Sequence, residues 1–251
     1  MDRSIEGLEF RLTMPGCQID GVTAEFFEGK KTEITWARVI LPDEFPAELK
    51  ASRIEDCELE IGSDGEFETL LDGIGEMPEN MDGILLIRSR LQKLKETRIC
   101  NTFLRCHPQE AVRYILTVSG IDNFHMTENQ FPAKAVFSID DMDALAALKQ
   151  LNAVYGINME TVWMDDDFWW GMRPEQEDVA ELSDDNVMSL EKTGAEWEAE
   201  ILPIPWIRTG EQILVDCEEY QGMGTVTKRV IKGTGSQIDM YINFEEAEED
   251  E

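Results

Sequence analysis

The sequence predicts an α+β protein, mainly β, in which antiparallel β regions flank a small α/β insert. Three observations predict it. Residues 8–89 carry about six short runs in which apolar and polar side chains alternate, the period of a strand with one buried face. Residues 108–120 and 141–156 carry two apolar stripes at helical spacing, each closed by a glycine. Residues 213–244 return to alternation, ending in Ile238, Met240, Ile242 and Phe244 on one side of a strand. The boundaries that follow are 1–90, 91–172, 173–244 and an acidic tail, 245–251.

In the first region Leu8, Phe10 and Leu12 alternate with Glu9, Arg11 and Thr13, and Val22, Ala24 and Phe26 repeat the pattern. Gly29-Lys30-Lys31 turns the chain into a third run, 32–41. Pro42 and Pro46 interrupt it, and 47–53 reads as a short helical turn. Alternation resumes over 57–61, 67–74 and 83–89, with a turn at 62–65. Strands at this spacing form a sandwich or a barrel.

The insert opens with LQKLKETRICNTFLRCHPQEAVRYILTVSGI, residues 91–121, read as a strand, a turn and a short helix. His107-Pro108 starts the helix, because proline at the first helical position loses no needed N–H. Val112, Ile115, Leu116 and Ser119 form its buried face, and Gly120 supplies the left-handed cap. Gln109, Glu110, Arg113 and Tyr114 are left as a solvated side or a docking surface. A linker, 122–137, leads to a second helix. Ser138 and Asp141 approximate a capping box, Asp140, Asp141 and Asp143 suit the helix dipole, and Met142, Leu145, Leu148 and Leu151 make the core stripe. Aspartates at a helix start read as caps rather than metal ligands. Residues 157–172 read as two aromatic-rich strands joined at Asp165-Asp166-Asp167. Phe168, Trp169 and Trp170 fit a hairpin buried against the helices, or a subunit contact, better than a stacking platform.

In the last region 173–185 is an acidic linker or exposed loop, 187–193 and 197–201 are strands, and Pro203 and Pro205 hold the chain extended. Ile213, Val215 and Cys217 alternate. A turn at 221–224 precedes a strand over 225–232, and Gly233-Thr234-Gly235 closes a hairpin onto the final strand. Residues 245–251 have too few apolar side chains to pack.

These features in this order resemble phage tail hub proteins. They form the late-control or baseplate-hub family, to which secretion-system spike proteins also belong. The residues that carry the resemblance are Phe103 followed by Glu110-Ala-Val-Arg113 and Ser-Gly120-Ile121, then the helix ending Tyr155-Gly156-Ile157 with its acidic hairpin, then GTVTKRVIKGTGSQIDMYINF. The resemblance implies two tube-like antiparallel β-barrel domains with the α/β insert between or beside them. It implies a homotrimer, a ring whose six barrels match a sixfold tail tube. The implied partners are a tail tube or distal tail protein, a spike or tip protein, possible contact with the tape measure, and genomic DNA that passes without specific binding. It implies a place in the virion, at the tail baseplate or tip, after assembly in a host cytoplasm. Two further readings stand beside it: a hub or spike-proximal component of a contractile injection system, and a soluble carbohydrate- or ligand-binding β-domain using the Trp163 to Trp170 cluster.

Composition agrees with a scaffold. Among 251 residues, 53 acidic against 22 basic side chains leave a formal charge of −31, a surface that repels free nucleic acid and anionic membrane. The acidity reads either as a solvated surface or as a channel lining. No run approaches the roughly 20 apolar residues that cross a bilayer, and MDRSIEGLEF lacks a basic-then-apolar signal pattern. Cys17, Cys57, Cys100, Cys106 and Cys217 show no CxxC spacing and read as free thiols, with only Cys100 and Cys106 placed to meet. His107 and His125 lie in no HxxxH or HExxH setting. No GxSxG, P-loop or dinucleotide fingerprint occurs, and the Gly222-Met-Gly224 pair belongs to a turn. The expectation is a non-enzymatic chain with no catalytic, cofactor or metal residues.

Overall fold

The computed structural model describes residues 7–30, 34–42, 53–79, 82–157, 161–164 (backbone), 167–235 and 237–247. The helical turn read at 47–53, apart from Arg53, the turn read at 165–167, apart from Asp167, and the tail end at 248–251 lie outside them. The chain divides into two compact units, one of residues 1–89 with 176–251 and one of residues 90–175.

The first unit contains a closed antiparallel barrel. Its strands are β1 (Glu9–Met14), β2 (Cys17–Gly29), β3 (Trp36–Ile40), β4 (Ile54–Ser63), β5 (Glu66–Glu76) and β6 (Ile84–Ser89), in the spatial order β1-β4-β5-β6-β3-β2, with β2 pairing back onto β1. Closure leaves no unpaired edge for another chain to extend. The alternation read in the sequence is the barrel wall: Phe10, Leu12, Phe26, Ala37, Val39, Leu59, Leu85 and Ile87 are fully buried. A barrel of so few strands is filled by its own side chains. Gly73 allows β5 to approach β6, since a Cβ there would strike the Arg88 carbonyl.

A second set of strands continues the same sheet: β12 (Ala180–Ser183), β13 (Val187–Thr193), β14 (Glu196–Ile201), β15 (Gln212–Asp216), β16 (Gln221–Thr234) and β17 (Gln237–Glu246). β16 is the shared strand. Its first residues, Gln221–Thr225, pair with β15, and Lys228–Gly233 pair with β2 of the barrel. The register against β17 shifts between Val226 and Lys228, leaving Thr227 as an extra residue where the strand passes from one partner to the other. One apolar core runs through both sets, from Phe10 and Leu59 to Ile213, Ile231 and Phe244. Two details differ from the expectation. Residues 180–183 of the supposed linker form β12, parallel to β15, and the turn expected at 221–224 is the start of β16.

The second unit holds α1 (Gln92–Glu96), β7 (Arg98–Cys106), α2 (Pro108–Val118), β8 (Phe124–Met126), β9 (Lys134–Asp143), α3 (Ala144–Tyr155), β10 (Thr161–Met164) and β11 (Asp167–Trp170). β7 pairs antiparallel with β9, and β10-β11-β8 form a second small sheet in which β8 is parallel to β11. α2 has the bounds expected, with Ala111, Val112, Ile115 and Leu116 fully buried. It ends in a Schellman motif, Ile121 N–H to Leu116 C=O at 3.0 Å and Gly120 N–H to Thr117 C=O at 3.1 Å, with Gly120 at φ 69°. α3 ends the same way on Gly156 and Ile157.

Three local readings are corrected. Residues 92–96, read as strand, are helical, with Leu94 buried. The linker read over 122–137 contains β8 and the start of β9. β9 then runs on through Ser138 to Asp143, so Ser138 and Asp141 do not cap the helix. Asp143 does, its carboxylate accepting from the Ala146 N–H at 2.8 Å. The reason is long-range: Ile99 and Asn101 on β7 pair with Met142 and Ile139, and a local cap loses to a ladder. Asp141 takes up the register shift with a left-handed φ of 40°.

Candidate assembly surfaces

The start of α2 is tied down from both sides. The Glu110 carboxylate accepts from the His107 N–H at 2.8 Å, and this bond holds it below the usual carboxylate range. His107 Nδ1 lies 2.9 Å from the Phe131 carbonyl, and Gln109 Nε2 donates to the Asn129 carbonyl at 2.7 Å. His107 and Gln109 thus fasten the 127–131 segment to the helix. Of the polar face read as a docking surface, Arg113 and half-exposed Tyr114 remain outward, Tyr114 meeting Phe103 edge to face at 5.3 Å.

The aromatic run divides by strand parity. Phe168 and Trp170 are fully buried, and Trp170 Nε1 donates to Asn152 Oδ1 at 3.0 Å. Trp169 faces the other way and stacks on His125, with ring centroids 4.0 Å apart and 18° between planes. His125 Nε2 lies 2.8 Å from Asp167 Oδ2. Sequence reasoning left His125 isolated. The parallel register that sets Trp169 opposite His125 brings the trio together, and no local spacing announces it. The side chain of Trp163 lies outside the described residues.

The remaining candidate groups do not converge. Cys100 and Cys106 sit on the same strand, one exposed and one buried, and the described cysteines are free thiols, which corrects the expectation that these two are placed to meet. Burial pushes the Cys106 and Cys217 thiols up, away from the reactive thiolate. Among the described residues no group of three or more His, Cys, Asp or Glu side chains is arranged to hold a metal ion.

In the β unit a buried charge sits where β16 meets β2. Arg229 lies beside Glu28 and over the Phe26 ring, 4.7 Å from its centroid. Its Nη1 donates to the Pro205 and Ile207 carbonyls at 2.7 and 2.8 Å. The Thr209 N–H and hydroxyl donate to Glu28 Oε2, and the Arg208 N–H donates to Glu211 Oε2 at 2.7 Å. Burial pushes Glu211 up against the pull of these neighbours. The network clamps the 204–211 segment onto the strand pair that joins the two strand sets. The periodicity offered no sign of it, because a basic residue at a strand position reads as solvent-facing.

Charge is divided unequally between the units. Residues 1–89 with 176–251 hold 13 basic and 41 acidic residues, a formal −28, whereas residues 90–175 hold 9 and 12, a formal −3. The acidity is a property of the β unit.

No family model and no curated protein matches the sequence. Solved structures do match its fold. A tail protein from Neisseria meningitidis MC58 aligns with a TM-score of 0.70 at 11% identity, over 96% of this chain and 97% of that one. The 43 kDa tail protein of prophage MuSo2 from Shewanella oneidensis aligns at 0.69 and 10% identity, over 94% and 97%. An E. coli component of the type VI secretion system, described as similar in structure to the T4 bacteriophage tail proteins gp27 and gp5, aligns at 0.66 and 13% identity, over 95% and 77%. The chain therefore has the fold of these tail and secretion-system proteins across nearly its whole length.

Proposed function

We propose that this chain is a structural component of a phage tail, the central hub of its baseplate or tip. Three copies form a ring that joins the tail tube to the spike or tip and lines the DNA channel. The observation that carries the reading is the end-to-end fold match to the N. meningitidis tail protein, with a TM-score of 0.70 over 96% of the chain. The closed barrel and the second strand set serve as the two tube-forming halves, so that three copies supply six. The α/β unit of residues 90–175 is the insert. Its partners are a tube or distal tail protein above and a spike or tip protein below, and its place is the virion tail. Its role is mechanical, without catalysis.

The −28 of the β unit fits a wall past which DNA moves, because carboxylates repel phosphate and leave nothing for the genome to adhere to. A second reading, the equivalent hub of a contractile injection system, is favoured by the match to the E. coli secretion component. A free glycan-binding domain is disfavoured, because Phe168 and Trp170 are spent in the core.

The test is a map of the intact particle together with the identity of the neighbouring genes. The expected result is three copies in one ring below the tube, a channel wall rich in carboxylates, and neighbours encoding tape measure and baseplate proteins. Six copies in the ring would overturn the hub reading, and a neutral or basic wall would overturn the channel role alone.

A further inference from the structure

The ribbon of β7 and β9 buries Ile99, Phe137 and Ile139 on one face, and among the described residues no third strand joins either edge. The two edges are not alike. On β9 the outward Ser138 C=O accepts from Gln150 Nε2 at 3.2 Å, and the strand carries Asp140, Asp141 and Asp143. On β7 the outward Thr102 N–H is met by its neighbour's side chain, Asn101 Oδ1 at 2.9 Å, and the strand carries two arginines and no carboxylate. Thr102 is opposite Ser138, so the alternation of an antiparallel pair turns the Leu104 N–H and C=O outward as well. Such an edge is a template for one more strand.

Apolar side chains line it on both faces. Leu104 and Val136 sit opposite each other on the outer face, 72% and 58% exposed. On the helix side Phe103 stacks on Phe137 and meets Tyr114, and Tyr114 and Val118, one turn apart on α2, are themselves exposed.

The two ends of the edge differ in charge. At one end Arg98 is paired with Asp141, and Asp140 stands beside it in the chain. At the Leu104 end the cations are Arg105, Arg113 and Lys134, with Lys134 turned over the Tyr155 ring. Of the carboxylates nearest that end, Glu110 accepts the His107 N–H, and Glu128 belongs to the segment fastened to the start of α2. Arg105 and Arg113 enter no ion pair among the described residues. Arg105 also has a left-handed φ of 52°, which breaks the alternation so that Leu104 and Arg105 are both exposed. A backbone of this kind is costly for a residue with a Cβ and persists where its surroundings hold it.

We propose that the free edge of β7 is a docking site, where an extended segment of a partner protein, alternating apolar and acidic side chains, adds as a third strand. Its main chain takes the Leu104 N–H and C=O and displaces the Asn101 side chain from the Thr102 N–H. Its apolar side chains cover Leu104 or the Phe103-Tyr114-Val118 strip, and its carboxylates meet Arg105 and Arg113. Main-chain bonds give such an addition its affinity, and the flanking side chains give it selectivity. The same strand of a second copy is a poor occupant, because antiparallel pairing along the whole of β7 sets Arg98 against Arg105. The inference stands apart from the ring reading.

The experiment uses the full chain and a fluorescein-labelled peptide, Glu-Val-Thr-Val-Glu-Val-Thr-Val-Glu, with a second peptide in which lysine replaces each glutamate. Anisotropy measures binding to the parent, to Thr102→Pro, to Arg105→Glu/Arg113→Glu, and to Lys228→Glu/Lys232→Glu, which makes the same charge change in the β unit. Thermal melts confirm that each variant is folded, and amide exchange of the ¹⁵N-labelled parent is followed with and without the acidic peptide. The acidic peptide is expected to bind about tenfold or more tighter than the lysine peptide and to slow exchange at Leu104. Thr102→Pro and the Arg105/Arg113 reversal should each weaken it about tenfold or more, and the control reversal should not. Failure of the parent to bind, equal binding of the two peptides, or binding without protection of β7 overturns the proposal. Self-association of the parent that Thr102→Pro abolishes would make a second copy the occupant and overturn the acidic partner.

Discussion

Arg229 Nε lies 3.2 Å from Glu28 Oε2 inside the junction of β16 with β2, the guanidinium almost wholly buried and the carboxylate partly open to solvent. Burial alone drives the guanidinium toward its neutral form, and Glu28 is the largest opposing influence. The pair is thus mutually required. It also satisfies the Pro205 and Ile207 carbonyls, which have no place in a ladder.

Arg229→Ala should therefore cost about 3 to 5 kcal/mol, the range seen when one partner of a buried pair is removed. Arg229→Met with Glu28→Leu should recover part of that loss, because neither charge is then stranded. Urea denaturation of the three proteins checks this. Equal stabilities for the single and double variants would show that the pair is not coupled.

The helix α2 should be held by its apolar face. Ile115→Ala or Leu116→Ala should destabilise by roughly 2 to 5 kcal/mol from lost transfer energy and the cavity left behind. Arg113→Ala should melt like the parent, and any defect should appear only in particle assembly. Glu110 differs from Arg113, because it accepts the His107 N–H. Its folded titration is depressed, so its contribution is present above the ordinary carboxylate range and lost as pH falls through the folded value. Melts of Glu110→Gln and parent should converge on acidification, and a constant gap across pH would refute the assignment.

Asp143 and Ser138 separate two accounts of how α3 begins. Asp143→Ala should cost about 0.5 to 2 kcal/mol through loss of the Ala146 cap. Ser138→Ala should cost far less, since its hydroxyl meets Thr102 across the strand pair, at 3.1 Å, and does not cap the helix. Paired thermal melts decide between them, and the reverse ranking would restore the local capping box.

Which face of the strongly alternating strands is buried, and how α2 and α3 end, was determined by the sequence. The alternation through Phe10, Leu12, Val22 and Phe26 and the run Met240, Ile242 and Phe244 became the core, with Leu8 and Ile238 only partly buried at the strand starts, because burial follows a period that a strand keeps. The closings at Gly120-Ile121 and Gly156-Ile157 were equally local, since a left-handed residue after a helix leaves few ways to satisfy its last carbonyls. Partnership was decided only by the tertiary structure. Ser138 to Asp143 has the composition of a helix start and became strand because β7 offered a ladder. His125 found Asp167 and Trp169 through a parallel register, and Arg229 went inward because Glu28 and two carbonyls waited there. The Thr227 bulge let one strand serve both strand sets. Each of these depends on groups far apart in the chain, and local periodicity carries no information about which distant group will be opposite.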